Sequence, residues 1–260
     1  MLNDTFSSAP LSHSQSSYRY DVREALWDGI VIGLTFVIEC FLLELLSINT
    51  VLALLRQKGG LTFYLQAVGY VLFNMVVFTP VVYAFFIAPY LSESPHSFTE
   101  QVSACFFGTV VQSIGYYLTH RLMHTPYLYW CHRFHHRFNT HICPVAANAV
   151  TPVEFGLAYA LPFVAGAQLV ATDRKTAHFF IWMTGLTNLA IHTPTLESLT
   201  VKWFPTWFVT TAFHFEHHRK LAMNYAAPTL NIDVVVRKSA FMDRLLARLF
   251  GKAYEEKKVT

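Results

Sequence analysis

The stretch "HRLMHTPYLYWCHRFHH", His120 to His136, and its downstream counterpart "HFEHH", His214 to His218, decide how this chain folds. Together they contain eight of the thirteen histidines in the sequence. Residues three and four positions apart share one face of a helix, so each segment can direct several imidazoles toward one point. The sequence therefore predicts short helices that bring a cluster of imidazoles together.

The composition predicts an integral membrane protein. Hydrophobic residues make up 53% of the 260 residues and charged residues 13%, whereas soluble globular proteins have about 25% charged residues. A chain with so few charges cannot cover a water-facing surface. The net charge of +3 is small, and the basic residues do not alternate with exposed aromatic residues, so the composition gives no indication of nucleic-acid binding.

Charge-free segments predict several membrane spans, because one span needs about 20 apolar residues. Four such segments cover residues 59–92, 101–120, 155–172 and 176–196, the third with a kink expected at Pro162. A further apolar segment, residues 27–55, contains Glu39 and Glu44, and carboxylates inside a span are expected to face protein or water. We predict an all-α membrane bundle of about four to five spans, with a cytosolic helical cap that holds a histidine-rich di-metal site.

The number of histidines predicts two metal ions. Eight imidazoles are more than one tetrahedral zinc site can use. Imidazole nitrogen binds iron, copper, zinc and nickel, so the ligand type alone does not select the metal. A carboxylate-bridged di-iron bundle requires paired Glu-x-x-His motifs, of which Glu93–His96 is a single instance in an expected loop, and the zinc-peptidase motif HExxH is absent.

The three histidine motifs resemble the histidine boxes of the fatty acid hydroxylase/sterol desaturase superfamily, which consists of membrane-bound non-haem di-iron oxygenases. The boxes are His120–x3–His124, His132–x2–His135–His136 and His214–x2–His217–His218. The segments "HTPYLYWCHRFHH", "TPVEF" and "NYAAPTLNID" are also similar to family sequences. The resemblance covers about Val102 to Asp233, although the segment after Asp233 departs from the family pattern.

The resemblance implies a set of ligands and outer partners. The implied metal ligands are the eight histidines of the boxes and His192, which lies late in a span at the place of a further family histidine. The candidate outer partners are Asn188, Glu154, Asp233 and His141, because metal-bound histidines usually donate their second ring nitrogen to a carboxylate or carbonyl. Glu154 has a second interpretation, since Thr151 at N-cap, Pro152 at N1 and Glu154 at N3 form a capping box.

The resemblance also implies an activity, that of an O2-dependent lipid hydroxylase or desaturase with two iron ions. Hydroxylation of a sterol or related isoprenoid is expected from the similarity to short side-chain hydroxylases of the superfamily. Because no GxGxxG motif follows a strand, NAD(P)H electrons are expected through a separate reductase and a b-type cytochrome or ferredoxin. Two alternatives remain open, a histidine-rich membrane metal transporter and a zinc-dependent membrane hydrolase.

The expected organisation is a disordered N-terminal tail over residues 1–25 and a single membrane-embedded domain over residues 26–260, with the boxes at 120–218. Basic residues mark cytoplasmic loops, and Arg121, Arg133 and Arg219 lie among or beside the boxes. The boxes and the C-terminus are therefore expected in the cytosol, although this places the basic turn Arg174–Lys175 in the lumen. A sequon at Asn3 and the terminal "KKVT", which resembles a dilysine retrieval signal, predict the endoplasmic reticulum.

Overall fold

The computed structural model describes residues 21–250 of the chain, and these residues form helices and turns without a β-sheet. The predicted all-α class is thus confirmed for this part of the chain. The sequon at Asn3, the terminal "KKVT" and residues 1–20 of the predicted tail lie outside the described residues. The first helix begins at Val22, because Asp21 accepts a hydrogen bond from the backbone N–H of Arg23. Residues 22–25 are therefore helical, which corrects the predicted boundary of the tail.

Five long helices and six shorter ones make up the described chain. In chain order the helices are α1 Val22–Leu46, α2 Ile48–Leu55, α3 Gly60–Tyr90, α4 Phe98–Met123, α5 Tyr129–His136, α6 over residues 152–169, α7 Arg174–Ile191, α8 Glu197–Trp203, α9 Thr211–Lys220, α10 Ile232–Lys238 and α11 Ala240–Phe250. Of these, α1 and α3 are long and apolar enough to cross a membrane.

The long helices alternate in direction, so their ends meet at two opposite levels. At one level, Arg174 at the start of α7 donates a hydrogen bond of 2.6 Å to Asp28 near the start of α1. We call this level the far end. At the other level, Glu44 near the end of α1 accepts a hydrogen bond of 2.9 Å from the backbone N–H of Val145. This second level, where α1, α4 and α7 end and α3 and α6 begin, is called the histidine end.

Three π-helical segments widen the long helices, and each lies just before a proline. They are Phe73–Phe78 and Tyr83–Ile87 in α3, before Pro80 and Pro89, and Phe155–Ala160 in α6, before Pro162. A proline ring clashes with the carbonyl four residues earlier and offers no N–H to it. In all three cases that carbonyl falls inside the π-helical segment, so the irregularity expected at Pro162 takes the form of a widened turn.

Helix α1 packs against α3 at close range through two glycines. A Cβ atom on Gly33 would lie 1.8 Å from the carbonyl oxygen of Met75, and one on Gly29 would lie 2.4 Å from the Cα of Pro80. Neither distance is compatible with a side chain, so the absence of a Cβ permits this contact. The contact holds the first apolar helix in the bundle.

The two carboxylates in the second half of α1, Glu39 and Glu44, face protein, one of the two surroundings that the sequence predicted. Glu39 accepts a hydrogen bond of 2.6 Å from the indole N–H of Trp182. Glu44 is buried and accepts hydrogen bonds from the Tyr64 hydroxyl and from the backbone N–H of Val145. Each charge within this apolar helix therefore links α1 to another part of the fold.

Candidate metal centre

Nine buried histidines meet at the histidine end in two adjacent clusters. The first cluster consists of His120, His124, His132, His136 and His217, and the second of His135, His192, His214 and His218. Within each cluster, the candidate ligand nitrogens all lie within 4.8 Å of one another. The structure thus brings together the nine histidines that the resemblance implied as ligands, and it divides them five and four.

Helical spacing explains how each box supplies its cluster. His120 lies in the last turn of α4 and His124 is the C-cap residue of that helix. His132 and His136 are four residues apart on α5, so they also point in one direction and join the first cluster. The same spacing on α9 places His214 and His218 together in the second cluster.

The Nε2 atom of His124 lies at the middle of the first cluster. It is 3.1 Å to 3.3 Å from the Nε2 atoms of the other four rings, those of His120, His132, His136 and His217. Two imidazole nitrogens bound at right angles to one ion, each at about 2.1 Å, are separated by about 3 Å. The observed spacings therefore suit ligands that share one metal ion.

The second cluster has the same short nitrogen spacings. The Nε2 atom of His214 lies 2.9 Å from that of His192 and 3.1 Å from that of His218. The Nε2 atom of His135 is buried and has no hydrogen-bond partner among the described residues. The inner nitrogens of these four imidazoles have no hydrogen-bond partner outside the cluster among the described residues, so they fit the ligands of a second metal ion.

Outer hydrogen bonds fix the protonation of five rings. In the first cluster, the Nδ1–H of His120 donates to the Tyr225 carbonyl (2.7 Å), that of His132 to a Glu154 carboxylate oxygen (2.6 Å), and that of His217 to the Met223 carbonyl (2.7 Å). In the second cluster, the Nδ1–H of His135 donates to the Ala146 carbonyl (3.1 Å) and that of His192 to the Asn188 carbonyl (2.7 Å). A carbonyl oxygen and an ionised carboxylate only accept, so with Glu154 ionised Nδ1 carries the proton and Nε2 carries a lone pair in all five rings.

This protonation pattern leaves lone pairs facing each other. The Nε2 atoms of His120 and His132 are 3.0 Å apart, yet neither of them has a proton to share. Such a contact is repulsive unless a cation lies between the nitrogens. The residues present therefore fit a bound metal ion better than a hydrogen-bonded network of histidines.

Burial keeps the histidines of α5 and α9 in the neutral form. Desolvation lowers the pKa of His217 to about 4. The pKa values of His132, His135, His136, His214 and His218 lie well below the usual value, first because of burial and then because of neighbouring histidines. Neutral imidazole is the form that binds a metal, so these rings are available as ligands near neutral pH.

The side chain of Glu154 contacts a ligand histidine and forms only half of the capping box that the sequence allowed. Thr151 is the N-cap of α6, and its hydroxyl accepts a hydrogen bond of 3.2 Å from the backbone N–H of Glu154. The Glu154 carboxylate does not reach back to Thr151 to complete the capping box. It accepts the Nδ1–H of His132 instead, and so orients a ring of the first cluster.

The other candidate outer partners differ in their contacts. Asn188 accepts the proton of His192 through its backbone carbonyl, while its side-chain amide donates to the carbonyl of Ala147 at 3.0 Å. Asp233 accepts from the backbone N–H of Ala226 at 2.7 Å and thereby supports the segment beside Tyr225. No described contact joins the Asp233 carboxylate to a ligand histidine.

His141 lies outside both clusters. Its Nδ1 is 2.9 Å from the amide nitrogen of Gln57 and 2.9 Å from the hydroxyl of Thr140. These partners place the ring in a surface turn at the histidine end, so no described contact gives it an outer-partner role at the centre.

Several hydrogen-bond acceptors of the histidines could not be identified from the sequence. The carbonyls of Ala146, Met223 and Tyr225 belong to the main chain, which every residue type carries. Glu44 was noted as a carboxylate that must face protein, but its role in holding the segment beside Ala146 depends on a contact 101 residues along the chain.

A family comparison agrees with this geometry. The model of the fatty acid hydroxylase family matches residues 105–237, which are 133 of the 260 residues. The matched range contains all nine histidines and Glu154. No solved structure shows a significant match to the chain.

Proposed function

The chain belongs to the fatty acid hydroxylase family, and we propose that it is a membrane-bound di-iron oxygenase that hydroxylates a sterol or related isoprenoid. Family membership makes it an oxidoreductase of the lipid hydroxylase and desaturase class with a histidine-rich metal site. The observation that carries the proposal is the pair of adjacent clusters in which lone pairs of neutral imidazoles converge. Imidazole ligands suit iron among other metals.

The chain itself would bind, orient and shield the reacting centre. The two clusters would each hold one iron, and the outer hydrogen bonds fix which nitrogen of each ring faces inward. When bound, two ferrous ions supply the reduction of O2 and the oxidant that removes hydrogen from an unactivated C–H bond. The nine rings are almost fully buried, so the protein excludes water from this position.

An apolar cavity between the long helices offers the substrate a place beside the centre. Asn188 lines this cavity, and its carbonyl accepts the Nδ1–H of His192. The cavity thus shares the residue Asn188 with the surroundings of the second cluster. Its largely apolar lining supports a lipid substrate.

We place the five long helices as membrane spans within one domain over residues 26–260, with the histidine end in the cytosol. The basic residues near the boxes support this orientation. Arg174, one of the two basic residues in the turn that opposed it, is paired at the far end with Glu24 and Asp28, so the charge of this residue is compensated there. The endoplasmic reticulum is the proposed membrane.

The clusters lie at helix ends, whereas transporters usually bind ions near the midplane, which favours the enzyme over a transporter.

Electrons are proposed to come from NAD(P)H through a separate reductase and a b-type cytochrome or ferredoxin. The purified protein with NADPH and lipid alone should then not turn over. Addition of a reductase with its carrier should start the reaction, whereas turnover without any carrier would contradict this part of the proposal.

The central test combines metal analysis with oxygen labelling. The protein, purified from iron-replete cells, is expected to contain two irons per chain. Membranes that contain it, supplied with a reductase system and ¹⁸O2, should form a lipid with one added ¹⁸O atom that membranes without it lack. A product that has lost two hydrogens would change the reaction to desaturation. Stoichiometric zinc together with lipid hydrolysis would overturn the oxygenase.

A further inference from the structure

Two buried side-chain amides that line the apolar cavity, those of Gln112 and Asn188, have an oxygen without a hydrogen-bond partner among the described residues. The cavity lies between α1, α3, α4, α6 and α7, and its lining is largely apolar. Gln112 on α4 lines it and is 2% exposed. The Oε1 atom of Gln112 is buried and has no hydrogen-bond partner among the described residues.

The sequence separation between Gln112 and His120 gives the distance along α4 from Gln112 to the first cluster. Gln112 precedes His120 by eight residues on the same helix, which corresponds to about 12 Å along the axis. Thr184 on α7 precedes His192 by the same number of residues and lines the same cavity. Because α4 and α7 run in one direction, these two polar side chains lie at a similar depth. Farther from the centre, the lining includes the apolar residues Ile87 and Ile181.

An unpaired amide oxygen in a largely apolar wall indicates a missing partner. A buried polar group without a hydrogen bond is costly, and such groups in native proteins are few. The side-chain amide offers one acceptor and two donor hydrogens. A hydroxyl group can donate its hydrogen to the unpaired Oε1, which a carboxylate cannot do.

The cavity wall also limits the charge of its ligand. None of the described residues that line the cavity is Lys, Arg, Asp or Glu. A carboxylate or phosphate held there would be a buried charge without a partner, which is strongly unfavourable. A neutral polar group is therefore the kind that this wall accepts.

We propose that the cavity binds an uncharged lipid alcohol and that Gln112 binds its hydroxyl group. The hydrocarbon part would then extend from Gln112 toward the histidine end, where His120 of the first cluster lies about 12 Å farther along the axis of α4. This assignment deepens the proposed function and rests on it for the reaction, but not for the binding. It makes Gln112 a specificity-determining residue that selects alcohols over free fatty acids.

Equilibrium binding to the purified full-length protein tests the assignment. The probes are two pairs that differ by one hydroxyl group, cholesterol with cholest-5-ene and oleyl alcohol with 9-octadecene, and oleate as the charged counterpart of oleyl alcohol. The wild-type protein should bind at least one alcohol about tenfold more tightly than its hydrocarbon. Oleate should bind more weakly than oleyl alcohol by at least a similar factor.

The variant Gln112→Leu should lose the preference for the alcohol while it keeps its affinity for the hydrocarbon. Gln112→Met serves as a second, unbranched replacement in case leucine packs poorly. Both should melt at the same or a higher temperature, because they remove a buried unpaired amide. Gln101→Leu is the matched control on the same helix, since Gln101 bonds to the His96 carbonyl and does not line the cavity.

Three results would overturn the assignment. They are the absence of any preference for an alcohol in the wild type, an unchanged preference in both Gln112 variants, and oleate binding as tight as that of oleyl alcohol. Metal content and turnover are recorded on the same samples. A protein that binds the alcohol through Gln112 but does not oxidise it would contradict the proposed function and leave this inference standing.

Discussion

His135 and His136 are neighbours in sequence, yet their imidazoles belong to different metal clusters. Their ring planes are 85° apart, with centroids separated by 5.5 Å. Adjacent residues on a helix point about 100° apart, so a His-His doublet supplies one ring to each of two neighbouring sites. His217 and His218 divide in the same way. The doublets therefore hold the two sites side by side.

This division predicts separable effects on metal content. His124→Ala removes the central ring of the first cluster, and His214→Ala removes a ring that contacts two others in the second. Each variant should keep about one metal ion per chain, from the cluster it leaves intact, and lose lipid oxidation. Metal analysis of the purified variants measures this. His141→Ala is the control and should keep both ions; full metal retention in both cluster variants would contradict the two-site assignment.

The bond between Glu154 and His132 predicts a graded loss of metal affinity. Glu154→Gln keeps an oxygen that can accept the Nδ1–H of His132 but removes its charge, and Glu154→Ala removes the acceptor. We expect affinity to fall about tenfold or less for Gln and up to about 100-fold for Ala. Competition with a chelator provides the measurement. The Thr151 cap bonds to the backbone of residue 154, so helix α6 should persist in both variants, and equal affinities in all three proteins would refute the role.

Glu44 is expected to support the second cluster from a distance. It holds the backbone of Val145, next to Ala146, whose carbonyl orients His135. Glu44→Leu leaves the Val145 N–H unpaired and should destabilise the protein by about 1–3 kcal/mol. Metal content should fall at the second cluster. Thermal unfolding and metal analysis report the two effects.

The control for Glu44 lies on the same helix. Glu39→Gln changes a carboxylate that bonds Trp182 and has no contact with the segment beside Ala146. This variant should keep both metal ions. If Glu44→Leu is destabilised but keeps both ions, Glu44 has a structural role only.

The contact between α1 and α3 predicts an unusually costly glycine-to-alanine change. Gly33→Ala would place a methyl group 1.8 Å from the Met75 carbonyl oxygen, so the helices must separate. We expect a loss of about 1–3 kcal/mol in the free energy of unfolding. Gly69→Ala on α3 is the matched control, because its Cβ would meet nothing within 4 Å. Similar melting temperatures for the two variants would argue against the close contact.

The sequence predicted the parts of this fold that depend on local spacing. The i, i+4 pairs His132–His136 and His214–His218 follow from helical geometry, and the place of His192 followed from family resemblance. Contacts between distant segments could not be predicted in this way. Glu44 meets Val145 only after two helices pack together, and Asp233 lies beside Ala226 because of a local turn rather than because it attracts a histidine.

Most of the acceptors that orient the histidines are carbonyls of the main chain. A mutation that changes Met223, Tyr225 or Ala146 to another amino acid replaces the side chain and leaves the oxygen where it was. These positions can therefore drift in evolution without loss of the hydrogen bond. An insertion or deletion between His217 and Tyr225 would displace the two main-chain oxygens that hold His120 and His217 in the first cluster. Proteins that evolve from this sequence should differ in the amino acids of that segment but keep the same number of residues in it.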